Sequence, residues 1–547
     1  MAFMGFTGSA LARARVCFII VPAFLLFGYN QSNIGGVLDY PSFVKHFPSI
    51  DTSNTTGSVK DRNATAQGKL TDIIAYPLSL IPNHSVSSIG TVVAIYTIGC
   101  LIGALGVTQL GNRIGRRKSL TVVAAIAATG LIIQATSYNI GQLVVGRIIS
   151  GIGTGGVNAV VPVWQSECTK PRSRGKNVVI IGVFIASGIA IAGWVNVGLS
   201  YMEENEVSWR LPLALPISFT LMIMSFTMSF PESPRWLVSK GHMEEARIAM
   251  HALADEDSLS HEAIGSEIEN ISSALQDASD SERGFVNLFK REPQRLFYRL
   301  CLAIGINFCA QMTGANVISY YGKTIFKESL GLEAKKASLL NAGVLTWKIF
   351  AAISAYLSVD RFGRKPLFVI SSLGMAVSMA GLAGTVWAID NRHTFGASVA
   401  ATFFLFFYMS FFPLGFLGAN FLYSAEIAPQ DLRIHLAAIG TATHWLFNFV
   451  IAEITPIAFV TIRWKYYIVY AVIGFSVTFM VYFLFPETKG RSLEEMDHLF
   501  ADPEHWWQVT AYARTSKVDD MTALDVLSRD EKVESAKHIE KVQDRGR

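Results

Sequence analysis

The sequence predicts an all-α integral membrane protein, with twelve transmembrane helices in two six-helix bundles and short cytoplasmic helices between them. Three observations carry this. The chain has 547 residues, 51% hydrophobic and only 16% charged, too apolar for a soluble protein of this length. It holds twelve apolar runs, each long enough to cross a hydrocarbon core of about 30 Å as a helix of roughly 20 residues. Three short charged signatures also occur twice. Arg113-Ile-Gly-Arg116-Arg117 returns as Arg361-Phe-Gly-Arg364-Lys365, 248 residues on. Glu167, seven residues before Arg174, returns as Glu426, seven before Arg433, and Pro231-Glu232-Ser233 returns as Pro486-Glu487-Thr488. Each signature ends an apolar run. A membrane protein of two similar halves is the expected build of a two-state machine with one central site.

The runs fall at about 16–38, 86–110, 119–137, 140–163, 177–201, 210–230, 296–326, 336–359, 367–389, 396–425, 434–460 and 465–485. The first lacks a small-residue cleavage site and is read as a helix rather than a leader. Gly99 and Gly103, with Gly151 and Gly155, have the small-xxx-small spacing of close helix contacts in lipid. The loops after the second, fourth and eighth runs are basic, which puts them, and both termini, in the cytoplasm of a multi-pass plasma-membrane protein. The loop at 39–85 then lies outside. It carries three glycosylation sequons, at Asn54, Asn63 and Asn83, as an external loop can.

The expected domains are an N-terminal bundle over 1–230, cytoplasmic linker helices over 231–294, a C-terminal bundle over 295–485 and a tail over 486–547. Within the linker, 243–254 and 261–275 have amphipathic periodicity. From about 515 the tail is charged and nearly free of aromatics, a composition that favours disorder. A net charge of +4 gives no bulk basicity for nucleic acid. The five cysteines are too few and scattered for a disulfide framework. No metal cluster, cofactor-cradling loop or nucleophile–base pair points to an enzyme. The expected partners are the lipid bilayer and a small-molecule substrate, with the chain a monomer.

The ordered set of motifs resembles the sugar porter family of the major facilitator superfamily over about residues 20–500. The matches are Phe27-Gly28-Tyr29-Asn30-Gln31, Gly111-Asn112-Arg113-Ile114-Gly115-Arg116-Arg117, Gly146-Arg147, Pro162-Val163-Trp164-Gln165-Ser166-Glu167, Pro231-Glu232-Ser233-Pro234-Arg235, Gln311-Met312-Thr313-Gly314-Ala315-Asn316 and Pro486-Glu487-Thr488-Lys489-Gly490-Arg491. The fourth of these and Trp445-Leu446-Phe447-Asn448-Phe449 resemble the fungal branch that includes a yeast glycerol–proton symporter and hexose carriers. The resemblance implies transport of a sugar or polyol by alternating access, two bundles rocking about a midplane site.

Two sets of side chains follow. Glu167 and Glu426 end apolar runs beside basic loops, and a carboxylate there is stable only if paired or wet. Their candidate partners are Arg113, Arg116, Arg147 and Arg174 in the first half and Arg361, Arg364 and Arg433 in the second. Such a network could join the bundles in one state and part in the other. Asn112 stands where the second half has Asp360, so the first network should be weaker by one charge.

Substrate contacts are expected from the amides and aromatics that suit a polyhydroxy compound. Gln311, Asn316, Trp445 and Asn448 match family sugar-contacting positions, with Asn30, Gln31, His444 and Phe421 beside them. Gln311 and Asn316 are offset by about 140° on an ideal helix, so they share one cavity only if the helix breaks, at Gly314. The chain departs from many hexose carriers at Gly182, Ala310, Asn420 and Phe421, which removes several hydrogen bonds of about 0.5–1.5 kcal/mol each. Proton-coupled relatives generally carry aspartate at the position of Asn30, and an amide exchanges no proton in the physiological range. Facilitated diffusion is the simplest reading. Glu453 is an alternative coupling acid, and Lys348, near mid-depth, could pair with an acid, attract an anionic cargo or snorkel.

Overall fold

The computed structural model describes residues 6–38, 40–47, 91–168, 174–202, 204–254, 264–265, 268–269, 271–272, 295–392, 395–429, 432–491 and 493–515. Asn54, Asn63 and Asn83 lie outside these residues, as does the tail beyond 515. Most of the expected 261–275 helix falls outside them too.

Twelve helices follow the apolar runs. They are α1 (Gly8–Val37), α2 (Thr91–Ile114), α3 (Arg116–Ala135), α4 (Ile140–Glu167), α5 (Arg174–Leu199), α6 (Val207–Thr227), α7 (Leu296–Lys327), α8 (Ala334–Phe362), α9 (Arg364–Arg392), α10 (Phe395–Phe416, continuing after a bend as Ala419–Glu426), α11 (Arg433–Thr461) and α12 (Lys465–Leu484). Eleven of them are long and apolar enough to cross a membrane. The remaining one, α11, is 29 residues long and carries the polar His444, Asn448 and Glu453. Several helices outrun their apolar cores. α3 and α9 begin at Arg116 and Arg364, because charged residues at a helix end reach the polar interface without breaking the backbone ladder.

Close approach of α2 and α4 depends on their glycines. A Cβ on Gly99 would lie 3.0 Å from Gly151 Cα, and one on Gly103 or Gly155 would overlap the facing backbone. In lipid, where burial gives no driving force between helices, such contact supplies packing directly. α1 to α6 form one bundle and α7 to α12 the other, with α5 against α8 and α2 against α11 at the seams. Across one seam, Trp194 Nε1 donates to Thr346 Oγ1 at 2.9 Å.

The turns at 111–117 and 360–365 lie on one membrane face, here termed the basic face; the other is the far face. Both described ends of the chain are on the basic face. Arg15 near the start of α1 donates to Gln165 near the end of α4 at 3.1 Å. The helix Leu493–Ala501 docks through Asp497, 2.6 Å from the fully buried Arg299 of α7. Short helices Pro234–Ser239 and Met243–Leu253 follow α6 and share a small apolar core of Leu237, Val238, Ala246 and Ala249.

Candidate functional site

α7 is broken where the sequence allowed it. The helix stops at Met312, Gly314 takes φ +92°, and a second helix starts at Ala315. A side chain at Gly314 would be strained by that φ and would press on the Tyr470 ring, 2.8 Å away. Tyr408 donates its hydroxyl to the freed Thr313 carbonyl at 2.9 Å, so the break leaves that group satisfied. The kink turns Asn316 back toward Gln311, and Asn316 Nδ2 donates to Gln311 Oε1.

A polar chain grows from that pair. Gln311 Nε2 lies 2.9 Å from both ring nitrogens of His444. Gln31 Nε2 donates to Asn316 Oδ1 at 3.0 Å, linking α1 of one bundle to α7 of the other. Trp445 closes one side, edge-on to Phe27 at 5.2 Å, again across the bundles. The half-buried Phe421 ring is 5.1 Å from His444. Asn448 accepts from the Tyr320 hydroxyl at 2.9 Å. Asn30 is buried, its Nδ2 without a hydrogen-bond partner among the described residues. The structure thus joins Gln31, Gln311, Asn316 and His444 in one network, with Trp445 and Phe421 as aromatic walls.

Contacts between the bundles lie on both sides of this cluster. Toward the far face, Ser32 Oγ donates to the Ser319 carbonyl at 3.1 Å, and Gly35 is pressed against the Tyr320 carbonyl. Toward the basic face, Val179 packs with Val359, Leu367 and Leu422. Lys348 of α8 is 1% exposed and donates to Ser319 Oγ at 3.2 Å. Glu453 is half-buried, eight residues before the end of α11.

The doubled charges form two matching clusters on the basic face. In the first, Arg116 grips Glu167 with Nη2 at 2.8 Å and Nε at 2.9 Å. In the second, Arg364 grips Glu426 at 2.7 and 3.2 Å. Each pair joins helices of its own half, so among the described residues they staple the bundles individually and do not bridge them. Arg147 is not with Glu167. It lies twenty residues earlier on α4, about 30 Å along the helix, buried toward the far face with its guanidinium 5.3 Å from the Tyr96 ring. Arg113 is exposed, and Arg361 contributes its carbonyl, accepting from Lys489 Nζ at 2.8 Å. The side chains of Arg174 and Arg433 are outside the described residues. Asp360 is 42% exposed and 3.5 Å from Arg364, so the charge absent at Asn112 is worth about 0–1 kcal/mol, a small asymmetry.

Two carboxylates were missed as sites. Glu232 accepts the backbone N–H groups of Arg116 at 3.0 Å and Arg117 at 3.1 Å. Glu487 accepts those of Arg364 and Lys365, both at 3.0 Å. Each caps the first turn of a helix, where free N–H groups and the helix dipole favour an anion. The doubled Pro-Glu pairs were the signal, and nothing in their spacing from the arginines pointed to a capping role.

Residues 16–500 match the family model described as Sugar (and other) transporter. The chain belongs to the sugar transporter family. Among its relatives, the sugar transporter STL1 of Saccharomyces cerevisiae is 31% identical over 502 residues, covering 91% of this chain and 82% of that protein. The low-affinity glucose transporter HXT1 of the same yeast is 32% identical, covering 82% and 80%. The fold matches the proton:xylose symporter XylE with a TM-score of 0.70 at 24% identity, covering 89% of this transporter and 98% of that chain. This is the major facilitator fold, and the protein is a multi-pass membrane transporter rather than an enzyme.

Proposed function

We propose that this transporter carries a polyhydroxy small molecule of the sugar or polyol class by alternating access, as facilitated diffusion. The observation that carries the reading is the buried network of Gln31, Gln311, Asn316 and His444, walled by Trp445 and Phe27 and shared between the bundles. Neutral donors and acceptors beside an aromatic face suit hydroxyl groups on a carbon ring or chain. Asn30, where the family resemblance puts a proton-carrying aspartate in coupled members, supports uniport. The boundaries 1–230 and 295–485 are taken as the rocking units, joined by 231–294. The basic face is taken as cytoplasmic in a plasma-membrane monomer.

Uptake of labelled sugars and polyols by cells lacking their own carriers tests this. Uptake should equilibrate without accumulating and should ignore a protonophore; collapse on dissipating the proton gradient would overturn uniport. A second reading, proton symport, is favoured by Glu453, a half-buried carboxylate on the same helix as His444 and Trp445. Under it Glu453→Gln abolishes accumulation and spares exchange.

A further inference from the structure

We infer that the cargo is a polyhydroxy carboxylate, a sugar acid rather than a neutral sugar, with Lys348 as the counter-ion of its carboxylate. This rests on the reading of the amide cluster as the cargo site.

Lys348 sits fourteen residues from each end of α8, roughly 21 Å of helix from either end and near the middle of the span. That is far beyond the reach of its own side chain, so it cannot snorkel. It is 1% exposed, and among the described residues its ammonium makes one hydrogen bond, to Ser319 Oγ, and no ion pair. The Phe412 ring lies 5.0 Å away. An ammonium at this depth is costly and normally has a partner or a function. Its neighbour Ser319 is one helical turn beyond Asn316, on the same face of α7. The cation is therefore set at the edge of the amide network, where a cargo held by hydroxyls on Gln311 and Asn316 would present its far-face end.

The surroundings carry the same sign. Ser319 also lines a narrow crevice between the bundles, with a cavity of only about 10 Å³, bordered by Ser32, Asn196, Tyr320, Lys323 and Asn341. Lys323 is 6% exposed, its Nζ 4.9 Å from the Tyr40 ring. Arg147, 3% exposed, is the third buried cation in this region. Against these three, the described carboxylate between the two faces is Glu453. Where buried cations outnumber carboxylates, the local potential favours an anion.

The test uses the full chain in liposomes under an imposed potassium diffusion potential, with D-gluconate and D-glucitol as probes of matched size. Wild type should take up gluconate at least about tenfold more efficiently than glucitol. Gluconate distribution should shift tenfold for about 60 mV of potential, whereas glucitol should ignore the potential. Lys348→Met should cut the gluconate-over-glucitol preference about tenfold or more, and Lys348→Arg should keep it. Glucitol uptake without gluconate uptake, or a Lys348→Met variant that keeps the preference, overturns the inference. Gln311→Ala separates the two levels. If it lowers uptake of glucitol while Lys348→Met leaves the preference intact, only the anionic cargo is refuted. If it alters uptake of neither probe, the cargo site itself is misplaced, and this inference falls with it.

Discussion

Replacing Glu167 and Glu426 by glutamine, singly and together, measures how the two bundles are held. Each glutamate receives two hydrogen bonds from one arginine, at 2.7 to 3.2 Å. A hydrogen bond to a charged group is worth about 1.5–3 kcal/mol and a neutral one about 0.5–1.5. Glutamine keeps the shape and loses the charge, so each substitution should cost roughly 2–4 kcal/mol. The guanidinium left behind cannot shed its proton. The first pair has side chains 8% and 9% exposed, the second 7% and 21%. Arg364 also keeps Asp360 at 3.5 Å, so Glu426→Gln should sit at the low end of the range. The pairs lie in different bundles and share no described partner, so the double variant should be additive within about 0.5 kcal/mol. The assay is the apparent unfolding free energy of the purified protein, by denaturant titration in micelles. A coupling above about 1 kcal/mol would refute the argument, because it would mean that the two clusters form one network across the bundles.

Asp360→Asn, which copies the first half's Asn112, should change stability by less than about 1 kcal/mol in the same titration. Gly314→Ala should cost about 1–2 kcal/mol from its left-handed φ alone, with further loss from the Tyr470 contact, and should raise the KM for cargo by disturbing the Gln311–Asn316 pair. Asp497→Asn should weaken the docking of 493–515 by about 1–2 kcal/mol and should appear as faster protease cleavage between 493 and 515 with cargo uptake retained.

The twelve helices were legible because a bilayer demands long apolar runs and little else produces them. The break in α7 was legible once the family resemblance put Gln311 and Asn316 in one cavity: five residues apart on an unbroken helix they diverge by about 140°, and Gly314 lay between them. The place of Arg147 was not, since grouping basic residues near Glu167 by charge ignored that α4 carries them to opposite ends. That these pairs staple each bundle separately rather than join the two was equally hidden. A repeat shows which residues are equivalent, and contact across a seam depends on how the two copies are docked. The capping carboxylates Glu232 and Glu487 were in plain view as a doubled Pro-Glu, yet their partners are backbone amides, which leave no trace in a pattern of side chains.

The polar network is unequally divided. Gln311, Asn316, His444, Trp445 and Asn448 all belong to the second bundle, and the first contributes Gln31 and Phe27. On the proposed reading the cargo rides with α7 and α11, while α1 acts as a door that swings on either side of it. The same bonds then hold the cargo whichever way the door stands open. Half-saturation for entry and for exit should therefore be nearly equal, and the direction of net flow should follow the cargo's electrochemical gradient, with no preference built into the protein.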